Sequence, residues 1–179
     1  DEGRNALRGV RLSSDGSEDI AVALSSINQE LNSGGDVVFR VIVEGSARVL
    51  HPIARDEVYR IGREAVVNAF RHSRAKNITV EVLYLENQLR LLISDDGCGI
   101  NSEVLESGRE GHWGLSGMRE RAERINARLK VRSRVGSGTE VELSVPATVA
   151  FQDQSRRRSV IKRVLLKRVR GRNNEHTYS

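Results

Sequence analysis

Cysteine is nearly missing from this chain. Cys98 is the only one among 179 residues. An intramolecular disulfide is therefore excluded, and the chain fits a reducing compartment. No apolar run is long enough to span a bilayer, and no stretch reads as a signal peptide. A piece of a longer protein lacks both whatever its parent carries, and residues 1–17 read as the cut end of something longer. Proline occurs only at positions 52 and 146, which leaves long stretches free for regular structure.

A charge excess is also lacking where a domain would be. Residues 152–179 hold nine Lys and Arg against Asp153 and Glu175, whereas residues 1–151 hold 20 basic and 22 acidic residues. The body is thus close to neutral, and the high pI says nothing about nucleic acid for that body. The tail has no aromatic residue before Tyr178, which argues against stacking on single strands. It reads as a charged, solvated extension. The alternative is an amphipathic partner or membrane-surface helix using Val160, Ile161, Val164, Leu165 and Val169.

What is present is periodicity. Ile20, Leu24, Ile27 and Leu31 recur at helical spacing after a start near Ser17, Glu18 and Asp19, and Gly34-Gly35 stops the run. Val37 to Val43 alternates as a strand. His51-Pro52 opens a helix that runs to His72, with Val58, Ile61, Ala65 and Phe70 on its stripe. Asn77 to Leu85 and the strand from Leu89 form a hairpin around Glu86-Asn87-Gln88. Gly114 to Asn126 reads as a helix on Leu115, Met118, Ala122 and Ile125, with Glu120 and Arg124 spaced as an i, i+4 pair. A second hairpin joins Leu129–Val135 to Val141–Val145, and Pro146 ends it. The order of elements predicts an α+β fold, a mixed and mainly antiparallel sheet with helices on one face.

The central stretch is Leu89 to Ile100. Leu89, Leu91 and Ile93 share one face of a strand, and continuing the alternation puts Asp95 on that same apolar face. A carboxylate there is costly without hydrogen-bond donors. Gly97 and Gly99 follow, where the backbone bends or lets something approach. The residues alone leave two readings open: an inward acid awaiting a ligand with N–H groups, or a capped turn with a solvated Asp pair. Glu64, Asn68 and His72 share one face of their helix at i, i+4 and i+8, beside apolar Ile61 and Ala65. The segment 101–113 is long for a plain connection and reads as a lid or binding loop.

Four motifs then stand in order: Glu64-Ala-Val-Val-Asn68, Asp95-Asp-Gly97-Cys-Gly99, Gly111-His-Trp-Gly114-Leu115 and Gly136-Ser-Gly138-Thr139. They resemble the asparagine box and the three glycine boxes of the ATP-binding catalytic domain of sensor histidine kinases. That superfamily also includes DNA gyrase, the heat-shock chaperone ATPases and the MutL mismatch-repair proteins. The run from Gly114 to Arg124 resembles the kinases whose regulators carry a helix-turn-helix output domain. The resemblance spans about Val37 to Pro146 and implies the two-layer, Bergerat-type ATP-binding fold.

The same resemblance implies site roles. Asp95 would accept the adenine amino group, with Gly97 and Gly99 beside the base. Asn68 would hold Mg²⁺, and Glu64 would be the catalytic residue, an acidic side chain that orients water or the incoming nucleophile. Gly111, Gly114 and Leu115 would meet the phosphates. Gly136, Gly138 and Thr139 would close the pocket, and His72 matches a polar position of the subfamily. Asp96 and Cys98 fill variable positions and are not expected to be ligands. The expected cofactors are ATP and Mg²⁺. The expected partners are ATP or ADP, an upstream dimerisation and phosphoacceptor domain, and a response regulator, within a homodimeric, cytoplasmic parent that could be membrane-anchored. Residues 1–32 are expected to be a remnant of the upstream dimerisation or linker helix, 33–150 the ATP-binding domain and 151–179 a flexible basic tail. A nucleotide-sensing module without phosphotransfer is the alternative function.

Overall fold

The computed structural model describes residues 19–32, 34–100 and 113–152. Its strands are β1 (Val38–Glu44), β2 (Asn77–Tyr84), β3 (Gln88–Asp95), β4 (Arg128–Ser133) and β5 (Thr139–Pro146), in one sheet ordered β1-β2-β3-β5-β4. The helices are α1 (Ile20–Leu31), α2 (Pro52–His72), α3 (Trp113–Arg124) and a single turn, α4 (Ala147–Ala150). β1 pairs parallel with β2, which requires a crossover, and α2 supplies it. The remaining pairings are antiparallel.

Strict alternation explains the two layers. Ile78, Val80 and Val82, then Leu89, Leu91 and Ile93, then Val141, Leu143 and Val145 are buried on one face. They share a core with Leu24 and Ile27 of α1, Val58 and Ile61 of α2, and Met118 and Ala122 of α3. The intervening positions carry Glu81, Arg90, Lys130, Arg132, Glu140 and Glu142. On that open face Glu142 lies 3.3 Å from Arg90 and 3.1 Å from Arg132. The sheet is therefore mixed and mainly antiparallel with helices on its apolar face, as the order of elements predicts.

Several boundaries differ from the sequence reading. α1, assigned to an upstream remnant ending at residue 32, contributes Ile20, Ala21, Leu24 and Ile27 to the same core, because its apolar stripe has the sheet to pack on. Asp19 caps it by accepting from the Ala21 N–H at 3.0 Å, and its carboxylate also accepts from the Tyr84 hydroxyl at 3.2 Å. At the other end the packed body continues past 150. Phe151 is buried against Leu50, and the Gln152 N–H donates to the Val49 carbonyl at 2.9 Å. Val135 was expected to extend the β4 alternation but is 67% exposed, because the chain already turns after Ser133. Arg124 reaches Glu57 of α2 at 3.6 Å, across the helix interface, where spacing had suggested Glu120. Residues 153–179 lie outside the described residues.

Leu24 is fully buried. Leu24→Ala is expected to lower unfolding free energy by about 3 kcal/mol, the usual cost of such a cavity. Urea denaturation checks this; a change near zero would mean that α1 is not part of the core.

Candidate functional site

Asp95 is the last residue of β3, paired with Ile78 of β2 on one side and Thr139 of β5 on the other. Its carboxyl is half-buried on the apolar face, as the alternation requires. Burial pushes its pKa up. The backbone N–H groups of Gly97 and Thr139 oppose that rise, while neighbouring Asp96 adds to it. The Gly97 N–H donates to Asp95 Oδ1 at 2.9 Å. Asp96 points the other way. It accepts from the backbone N–H groups of Lys76 and Asn77 at 2.9 Å each and from Asn77 Nδ2 at 2.7 Å. Those bonds, led by the Asn77 side chain, hold its pKa down. Two adjacent acids thus divide between pocket and scaffold.

The glycine loop is held between two neighbours. The Cys98 N–H donates to the Ser73 carbonyl at the end of α2 (2.7 Å), and the Gly136 N–H donates to the Cys98 carbonyl (2.7 Å). A Cβ at Gly97 would collide with the Ser73 carbonyl, and one at Gly138 with the Asp95 carbonyl; Gly138 is also at φ +79°. Ile100 donates its N–H to Ser133 Oγ at 2.7 Å, and that hydroxyl is 2.9 Å from the Thr139 hydroxyl.

Glu64, Asn68, His72, Asp95, Gly99, Gly114, Leu115 and Thr139 all line one cavity of about 430 Å³. Gly97, Gly136 and Gly138 do not line it; Gly97 and Gly138 let its walls pack, and Gly136, at φ +77°, turns the chain in open space. Gly111 and the expected lid up to residue 112 lie outside the described residues. Sequence reasoning missed Ser73, Ile93, Ile100, Met118 and Val141 as lining residues. For Ile93 and Val141 a signal existed, since they are cross-strand partners one step in from Asp95 and Thr139. Ser73 gave none. It is buried at the helix end, donating its hydroxyl to the Ala69 carbonyl at 2.6 Å and accepting from the Ala75 N–H at 3.0 Å.

The cavity has two chemically different ends. At the sheet, Asp95 is the acceptor among Ile93, Val141 and Thr139. At α3, Gly114 sits against α2. A Cβ there would collide with Glu64 Oε1 and come within 3.2 Å of Asn68 Nδ2. The first turn of α3, whose N–H groups have no partner within the helix, therefore abuts the Glu64–Asn68 face. Among the described residues no three His, Cys, Asp or Glu gather to hold a metal. One amide oxygen and one carboxylate suit a hard cation that takes most of its oxygens from phosphate and water, which is how Mg²⁺ binds.

Residues 53–149 match the family described as histidine kinase-, DNA gyrase B- and HSP90-like ATPases. The nitrate/nitrite sensor protein NarX of Escherichia coli is 36% identical over 94 residues, which cover 52% of this chain and 15% of NarX. The signal transduction histidine-protein kinase/phosphatase DegS of Bacillus subtilis is 30% identical over 121 residues, covering 68% of this chain and 31% of DegS. The chain thus spans less than a third of either relative. Among solved structures, the histidine kinase domain of the Erythrobacter litoralis EL346 blue-light activated kinase superimposes with a TM-score of 0.63. It is 22% identical, covering 78% of this chain and 66% of that one. The catalytic domain of histidine kinase ThkA gives 0.59 at 16% identity, covering 71% and 89%. These two likenesses show the fold.

Gly138→Ala puts a methyl into the Asp95 carbonyl and forces an unfavourable φ. It is expected to destabilise the chain by about 2 kcal/mol and to enlarge chemical-shift changes around Asp95. Thermal unfolding with amide spectra reads both; an unchanged midpoint and spectrum would show that this close approach is not needed.

Proposed function

The chain belongs to the histidine kinase-, DNA gyrase B- and HSP90-like ATPase family, and from that footing we propose that it is the ATP-binding catalytic domain of a two-component sensor histidine kinase. In this reading it donates the γ-phosphate of ATP to a histidine on a separate dimerisation domain, for relay to a response regulator. Membership of the family implies ATP binding. The observation that carries the finer reading is the two-ended cavity, with Asp95 among apolar residues at one end and Glu64, Asn68 and Gly114 at the other.

Each end suits one part of the nucleotide. Asp95 accepts the adenine amino group, which replaces the hydration its carboxylate has lost. Guanine offers a carbonyl there and leaves the acid facing an acceptor, a mismatch that costs strongly in a buried site. Ile93 and Val141 supply the apolar surface for the base. Asn68 would hold Mg²⁺ through its side-chain oxygen, and the ion would neutralise phosphate charge. The α3 N-terminus favours phosphate oxygens electrostatically. Glu64, beside Gly114 at the same end, would orient the attacking nucleophile. Transfer of this type rests mainly on positioning and charge neutralisation. His72 is exposed at the rim, where it can meet a phosphate or solvent.

ATP and ADP are expected to bind and GTP to bind far more weakly. Asp95→Asn should lose at least a hundredfold in ATP affinity, about 2.7 kcal/mol, with the unfolding midpoint unchanged or raised. Titration calorimetry checks this, and affinity within threefold of the parent would remove Asp95 as the adenine reader. The pH dependence follows from the raised Asp95 pKa. In the free protein the stabilisation that comes with this shift is fully present below the ordinary carboxylate range. It is lost as pH rises through the raised value. Adenine needs the ionised form, so affinity should fall as pH drops through that same value. A flat affinity profile through the acid limb would contradict the assignment. The chain by itself is expected to bind ATP without phosphorylating His51, His72, His112 or His176. Acid-labile phosphate mapped to any of them would defeat that expectation.

A further inference from the structure

A second cleft of about 400 Å³ opens between α2 and α3 and shares Arg63, Glu64, Gly114 and Met118 with the nucleotide cavity, so that Arg60, Gly117 and Arg121 are the residues it has to itself. Three arginines line it, Arg60 and Arg63 from α2 and Arg121 from α3, against the single acid Glu64. Arg63 is anchored to Glu30 at 2.7 Å and Arg121 to Glu57 at 3.2 Å. Arg60 is exposed and has no acidic partner among the described residues. The remaining wall is Gly117, in the second turn of α3. A Cβ there would meet nothing within 4 Å. Glycine in a helix interior costs about 1 kcal/mol relative to alanine, and nothing inside the described structure requires it. The bare backbone leaves room for something to come close from outside.

We propose that this arginine-lined cleft is the docking groove for an acidic segment of the protein that receives the phosphoryl group. The inference rests on the phosphotransfer reading above and adds the surface, its charge and the residues that set partner affinity. The cleft adjoins the Glu64–Gly114 end of the nucleotide cavity, so an occupant lies beside the phosphate end without covering the adenine end. Two anchored guanidiniums fix the rim, and Arg60 is left to pair with an incoming carboxylate. A charge pair formed across a docking surface contributes to encounter rate and register, which is what a mobile acceptor domain needs.

The test separates nucleotide from partner. ATP affinity of Arg60→Glu and Gly117→Leu, measured by calorimetry on this chain, is expected to stay within twofold of the parent. A Glu- and Ala-rich peptide of about 20 residues is the docking probe. It should shift amide signals of α2 and α3 around Arg60 and Gly117, lose at least tenfold in affinity with either variant and keep most of it with Arg60→Lys. In the parent kinase the same two variants should slow histidine phosphorylation at least tenfold at saturating ATP. If Arg60→Glu weakens ATP instead, the cleft belongs to the nucleotide site and the proposal is overturned. Equal displacement of the peptide by inorganic phosphate at matched ionic strength would reduce the cleft to a small-anion site, also overturning it. Failure of the wild-type chain to bind ATP would sink the phosphotransfer reading, whereas peptide binding insensitive to both variants sinks this one.

Discussion

The desolvated carboxylate of Asp95 is the constraint around which the other loops are arranged. An acid on the apolar face of a sheet raises its own pKa through burial, and this cost persists unless donors converge on it. Here the donors come from two places in the sequence, the following loop through Gly97 and β5 through Thr139, while the end of α2 holds that loop by accepting from the Cys98 N–H at the Ser73 carbonyl. Each must approach closely, and the glycines at 97 and 138 are where side chains would have prevented it. The donors offset the rise only in part. The remainder is available to a ligand that can donate, and this couples occupancy of the pocket to the ionisation of one side chain.

Asp96 extends this coupling to the scaffold. Its three accepted hydrogen bonds tie the glycine loop to the first residues of β2, while Cys98 ties it to Ser73 and to Gly136. The loop is therefore fastened on both sides to elements far away in sequence. A surface carboxylate contributes little as an ion pair, but as an acceptor for adjacent backbone N–H groups it fixes chain direction. That distinction explains why neighbouring acids of the same type serve different ends.

Much of this was legible in the sequence because periodicity records burial. The alternation of Leu89, Leu91 and Ile93 placed Asp95 inward, and the i, i+4, i+8 spacing placed Glu64, Asn68 and His72 on one face. Element order was enough for the sheet class. What was not legible depends on long-range packing. Nothing local shows that α1 joins the core, since an apolar stripe looks the same whether it meets this sheet or another helix. Arg124 could not be assigned to Glu57 from spacing, because the partner lies on α2, more than sixty residues earlier. Ser73 carries no periodic signal; its role comes from a helix ending where another loop passes. Phe151 likewise reads as the start of a tail until Leu50 is brought beside it.

The two ends of the cavity share a reference in α2, and this decides how rigid their separation is. Its end holds the glycine loop through Ser73, and its middle meets α3 at Glu64 and Asn68. The placement of α3 depends in turn on Met118 and Ala122, both buried, and on Glu57, which faces Arg121 and Arg124. The ion pairs are partly exposed and add at most about 1 kcal/mol each. Burying a methionine side chain contributes about 1.5–3 kcal/mol, so apolar packing of α3 on α2 outweighs them. Helix packing thus sets the distance from Asp95 to the α3 N-terminus. The acceptor at one end and the N–H groups at the other are positioned by the core before any ligand arrives, which limits the ordering that binding must impose.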